Sequence, residues 1–458
     1  MTTKYTYLPT VLDHEIAQRR VSGFDVSAIE KELANQSEIT PALARELLTR
    51  LAELEAPEDW PYVEPSTLEG IQAELPASAS TARLGLADLR DRLEAAWLGR
   101  SAGNCLGKPV EDGGRWNSES ITVYLRRSGN YPINDYLRRL DPMPDGLELC
   151  DAWAESTKGR IKYVPRDDDL DYTLLGLHIL QTHGFGYSTG DVAKEWLLRL
   201  PFHLTYSAER STYRNLVNGV PAEECAVNDN PYREWSGAQM RGDIFGYVCA
   251  GRPRAAAMLS YPDASLTHVG NGIYAELWAA ALVAASFTAT SLRDAVLESF
   301  NHVPQRSRLA EALRWTLAVA DSGVEWENAI TQLLERYAQY HWRHAVPNAA
   351  VCALSLLYAE DDYTRAIGLA VQSGLDADTN GATAGSAAGA FSGRAGIPPH
   401  WTAPFGDTLR SGLAGFDRTS IRSLAEQTFA LARASLTRAA PTTVVTTPAT
   451  DPGTARAS

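Results

Sequence analysis

Between Ser373 and Gly393 the chain reads SGLDADTNGATAGSAAGAFSG, with Gly381, Gly385, Gly389 and Gly393 at every fourth position. No other pattern in the chain restricts the fold as much. A glycine inside a helix costs about 1 kcal/mol relative to alanine, so four of them need a reason. Spacing of four puts all of them on one helical face, where a second backbone or a ligand can come close. A buried helix and a ligand-adjacent helix both satisfy this segment. A second stretch, LGRSAGNCLGKPVED at 98–112, carries Gly99, Gly103 and Gly107 at the same spacing, and Pro109 ends its helix just before Glu111.

The surrounding pattern is helical. LADLRDRLEAAWLGRSAG, DYTLLGLHILQTHG, AELWAAALVAASF, NAAVCALSLLYAE and SIRSLAEQTFALARASL keep helical apolar spacing, and strand-like alternation beyond five residues is scarce. The expectation is an all-α domain over 86–436, with no period of 20–50 residues and therefore no solenoid. Residues 1–85 form a separate N-terminal helical extension. It has a helix entry at Asp25–Ser27 and a second helix with Leu43, Leu47, Leu48 and Leu51 on one face. PEDWPYVEPS then breaks the pattern as a linker or a strap on the main domain. A packing appendage is the plain reading of this portion and a partner-binding module the alternative. The tail at 437–458, rich in Thr, Pro and Ala, is expected to be disordered.

Forty-two basic against 56 acidic residues give a formal charge of −14, which disfavours a grip on nucleic-acid polymers. The five cysteines are scattered with no Cys-x-x-Cys, so zinc knuckles and redox dithiols are not expected and a reducing compartment is. The first residues lack the apolar core of a signal peptide. The apolar run 277–287 is too short to span a bilayer. The expectation is a soluble, cytoplasmic protein.

Acidic residues beside the glycine run raise the question of a partner. Asp376 and Asp378 precede the glycine helix, with Thr379 adding a hydroxyl. The other acidic cluster is Asp167, Asp168, Asp169 and Asp171, in RDDDLDYTLLGLHIL. Acids in a first helical turn are favoured by the macrodipole, so a charged N-cap region is the bland explanation. Capping needs only one or two, however, and four carboxylates in five residues repel one another unless cations intervene. An oxygen-rich set without paired His or Cys suits Mg²⁺, Mn²⁺ or Ca²⁺. Glu111, just past a glycine-lined helix end, is either an exposed loop acid or a general acid or base.

Taken in order, the three stretches resemble the ADP-ribosylglycohydrolase family, over roughly 90–410. LGRSAGNCLGKPVE resembles its Gly-x-x-x-Gly-Asp-x-x-Gly-x-Pro-x-Glu pattern, and RDDDLDYTLLGL its Thr-Asp-Asp-Thr motif. GLDADTNGATAGSAAGAFSGRAGIP resembles its Gly-Gly-Asp-x-Asp-Thr motif with the following small-residue helix. SGAQMRGDIFGY and SLTHVGNGIYAE fall where that family places ligand-binding loops. The resemblance implies a compact all-α fold with two Mg²⁺ (or Mn²⁺) ions held by Asp167, Asp168, Asp169, Asp376, Asp378 and Thr379. It further implies proton transfer by Glu111 or Asp376. Substrate contacts would come from Asn104, Gly107, Gly237, Met240, Arg241, His268, Gly270, Asn271 and Gly272. The substrate would be an ADP-ribosylated protein, or a related small N-riboside or nucleotide.

Several positions depart from the family pattern. Asp167 stands in place of its first threonine and Leu170 of its second. Asn104 replaces the usual aspartate, and Leu375 the second glycine. Two other functions remain in view: binding of ADP-ribose without cleavage, and a terpene or prenyl synthase using Asp167, Asp168 and Asp171 as DDxxD. The second lacks the downstream ligand set, since NDNPYREWS fails at its serine and glutamate positions.

Overall fold

The computed structural model describes residues 5–55, 57–77 and 81–436. The tail expected to be disordered, 437–458, lies outside the described residues. The helices that position the site are α1 (Leu8–Val21), α2 (Pro41–Ala52), α3 (Leu86–Gly107), α4 (Asp168–His183), α5 (Gly270–Ser286), α6 (Ala345–Leu357) and α7 (Ala377–Ser392). Among the described residues the strands amount to one two-residue antiparallel pair, Thr408–Leu409 with Thr419–Ser420. The protein is all-α.

The glycine spacing is explained by α3 and α7. They lie antiparallel with their backbones in contact: a Cβ on Gly103 would sit 1.8 Å from the Gly381 carbonyl oxygen, and one on Gly99 2.2 Å from that of Gly385. Gly389 meets Ala95 in the same way, and Gly107 meets Ala377. Of the two readings open for the glycine run, the buried helix–helix seam is the one adopted. Backbones this close gain dispersion contacts along the whole seam, which offsets the poor helix propensity of glycine. The seam has a consequence for chemistry. Antiparallel packing brings the C-terminal end of α3, with Asn104, Lys108 and Glu111, against the N-terminal end of α7, with Asp376, Asp378 and Thr379.

Helix α5 is buried along its entire length and forms the centre of the main core, which is why its apolar run at 277–287 has no polar face. The N-terminal extension has a small core of its own, with Val11, Leu12 and Ile16 of α1 against Ala44, Leu47, Leu48 and Leu51 of α2. Prolines between 57 and 65 hold the following segment as a strap across the main domain. Val63 N–H bonds the Arg306 carbonyl, Tyr62 Oη donates to Glu311, and Ile71 enters the main core.

Candidate active site

Helix α4 starts where it does because the Asp167 carboxylate caps the Asp169 N–H at 3.0 Å. This leaves three successive carboxylates at a helix N-terminus, of which Asp167 and Asp169 meet the α3–α7 seam. Ligand oxygens of Asp167, Asp169 and Asp378 all lie within 4.8 Å of one another, as do those of Glu111, Asp376 and Asp378. The two acidic clusters, some 210 positions apart in sequence, therefore converge on one centre with Asp378 common to both triads. Thr379 Oγ1 donates to Asp169 at 3.2 Å. Asp168 lines the same cleft, a cavity of about 200 Å³ walled also by Tyr206, Gly237, Met240 and Arg343.

Burial drives the electrostatics. Desolvation pushes Asp168, Asp169 and Asp378 well above the ordinary carboxylate range, and each also feels neighbouring acids. Asp376 is pushed up to about 6 by burial, with Arg343 and Ser236 opposing and Glu111 reinforcing. Asp167 goes the other way: burial would raise it, but the Lys108 ammonium paired with it outweighs that and holds it low. Beneath the cluster, fully buried Arg100 donates to Thr173 Oγ1 at 2.8 Å and to the Asp169 and Met240 carbonyls, and pairs with Asp243.

Not every residue implied by the resemblance reaches the cleft. Gly237 and Met240 line it. Asn104 lies beneath it, giving its amide hydrogens to Asp167 and Asp169 at 3.0 and 3.2 Å. An aspartate there could not donate them. Gly107 is pressed against the Ala377 and Asp378 backbone, in the seam and not on the cleft surface. Arg241 is buried among Glu209, Asp263 and Glu276, an internal ion network that consumes its donors. His268 and Gly272 are in mutual contact at the start of α5, where burial holds His268 neutral. Asn271 bonds Glu64 and Glu234, and the Gly270 N–H bonds Ser66 of the strap. Gly270 lines a different cavity, of about 470 Å³, under the N-terminal helices. Asp171 turns away from the centre to Ser411 Oγ at 2.7 Å, the Gly412 N–H at 2.9 Å and Arg166. The DDxxD arrangement needs Asp171 beside Asp167 and Asp168, so that reading fails on geometry.

Three cleft residues, Lys108, Arg343 and Tyr206, carry no signal in the sequence, and Ser236 opens the loop SGAQMRGDIFGY without being singled out in it. Lys108 sits in the glycine–proline interval that the motif leaves unspecified. Arg343, in HWRHAV, donates to Glu111 at 2.7 Å and lies 4.0 Å from Asp376. Ser236 donates to Asp376, and Tyr206 forms part of the wall. Only long-range packing brings these residues in.

The fold and the centre define a helical protein with a cleft lined by buried carboxylates. The family model for ADP-ribosylglycohydrolase matches residues 86–439, and the chain belongs to that family. Membership supports a glycohydrolase function. A solved structure described as an ADP-ribosylglycohydrolase-related protein complex is similar at 18% identity and a TM-score of 0.47, covering 76% of this chain and 99% of its own. No curated protein matches the chain.

Proposed function

We propose that the protein is a divalent-metal-dependent hydrolase of a ribosyl anomeric bond, acting on an ADP-ribose-containing substrate or a small N-riboside. The observation that carries this reading is the pair of carboxylate triads sharing Asp378, whose members Asp167, Glu111 and Asp376 line a cleft, in a chain of this family. The donor set fits two Mg²⁺ or Mn²⁺ ions: it is all oxygen, and Asp169 Oδ1, 3.5 Å from the Arg100 guanidinium, is buried without a hydrogen bond. Asp167, Asp168, Asp169, Asp376, Asp378 and Thr379 would hold them. When bound, such ions supply the positive charge that fixes the vicinal hydroxyls of a ribose.

The chain's own groups supply the rest. Hydrolysis at an anomeric carbon passes through an oxocarbenium-like transition state, with water approaching one face as the leaving group departs from the other. Glu111, steadied by Arg343, positions that water and takes its proton. Asp376 is the second group able to move a proton at the cleft floor, and comparing Glu111→Gln with Asp376→Asn divides their roles. Gly237 and Met240 shape the wall against the sugar. No helix among the described residues is long and apolar enough to cross a membrane. All five cysteines are free thiols, which accords with a reducing, cytoplasmic setting.

The test is release of free ADP-ribose or ribose from ADP-ribosylated protein, ADP-ribosyl arginine and N-ribosides, with Mg²⁺ or Mn²⁺ and with excess chelator. Turnover that survives chelation would sink the proposal. Binding of ADP-ribose by calorimetry without turnover would favour the binding-only reading, for which Asn104, Leu170 and Leu375 are the supporting substitutions.

A further inference from the structure

We infer that the N-terminal extension belongs to the site, through Tyr5, whose hydroxyl accepts a hydrogen bond from Arg343 Nη1 at 2.6 Å while Nη2 of the same guanidinium holds Glu111 at 2.7 Å. The inference rests on the hydrolase reading above, in which Glu111 moves the proton. A guanidinium is a rigid planar fork, so fixing both of its ends fixes the direction in which it presents its donors. Its carbon also lies 4.1 Å from the centre of the Trp342 ring. The Tyr5 hydroxyl is thus the contact on the end of Arg343 opposite Glu111.

Tyr5 is itself held by what it steadies. Its ring stands edge-on to Tyr232 at 5.5 Å and to Tyr206, a wall of the cleft, at 6.5 Å. It packs on the cluster of Ala208, Tyr232 and Trp235. Ser236, next in the chain after Trp235, donates its side-chain proton to Asp376 and its N–H to the Arg343 carbonyl. The two segments that carry Ser236 and Arg343 are therefore bonded to each other, and both touch Tyr5. Tyr5 does not line the cleft, so it is a positioning residue that acts through Arg343. A residue far outside the family-matched region, 86–439, thereby sets the geometry of a group inside it.

Tyr5→Phe in the 458-residue chain keeps the ring and removes only the hydroxyl. The expected result is a loss of about tenfold in kcat, from misplacement of Glu111, with KM and the melting temperature unchanged. In an Arg343→Ala background the same substitution should cost nothing further. Wild-type kcat in Tyr5→Phe, or an equal loss in both backgrounds, overturns the inference. The coupling is read a second way, in Mg²⁺ affinity by calorimetry, because Arg343 is a fixed cation beside Glu111 and Asp376. Tyr5→Phe should shift that affinity about threefold, and not at all with Arg343→Ala. If no riboside is cleaved but the Mg²⁺ coupling persists, the hydrolase reading falls and the role of Tyr5 stands. Absence of coupling in both measurements removes the role of Tyr5 alone.

Discussion

Asp171 and Asp378 belong to the same acidic vocabulary and do different work. Asp378 joins both triads, so Asp378→Asn should weaken Mg²⁺ binding at least about tenfold by calorimetry and abolish turnover with it. Asp171 organises the loop at Ser411 and Gly412. Asp171→Ala should cost about 1–3 kcal/mol of stability by leaving those donors unpaired, read from the denaturant midpoint, with Mg²⁺ affinity retained. Asp376 carries a pH signature. Its folded pKa, about 6, lies above the ordinary 3.8, so the folded state binds this proton more tightly than the unfolded state does. Its contribution is present below pH 4 and lost as pH rises through 6. In metal-free protein, Asp376→Asn should therefore match the wild type in melting temperature near pH 4 and exceed it progressively up to pH 7. A constant difference across that range would contradict the shift. The composition of the sequence identified these acids as a group. The resemblance left Asp171 outside the ligand set, but the loop it supports was not legible, because successive side chains on a helix point about 100° apart and only distant neighbours decide what each one meets.

At the level of elements, the seam between α3 and α7 governs the site. Gly103→Ala would force a methyl group to within 1.8 Å of the Gly381 carbonyl, driving the helices apart. The expected cost is about 3 kcal/mol, with loss of Mg²⁺ binding because Asn104 and Lys108 move away from Asp167. Gly186→Ala, where an added Cβ meets nothing within 4 Å, should change stability by no more than about 0.5 kcal/mol. Denaturant titration of the two variants checks the contrast. The helices themselves were readable from their periodicity, and α2 from Leu47, Leu48 and Leu51. Helix α1 leaves only a shallow pattern in the sequence: its buried apolar side chains, Val11, Leu12 and Ile16, are few and are interrupted by Asp13, His14 and Glu15.

Across the whole molecule, the extension is bound to the main domain by buried charge. Arg308 pairs with Glu64 of the strap at 2.8 Å and with Glu234 at 2.8 Å, all largely withdrawn from solvent. Glu234 is held well below the usual carboxylate range, where burial is outweighed by Arg308 and His344. Arg308→Ala leaves both acids without that partner and should destabilise by about 3–5 kcal/mol. Limited proteolysis should then cut first between α2 and the strap, releasing the N-terminal helices. Uniform cleavage across the chain would argue against this ion pair as the clasp.

The sequence by itself determined the helical class and the two acidic turns, because periodicity and clustered charge are local properties. Which oxygens share a centre, which glycines face a backbone and not a ligand, and how Tyr5 comes to rest on Arg343 were decided only by tertiary structure. Those outcomes depend on which distant segments exclude water from one another, and no local pattern encodes that choice.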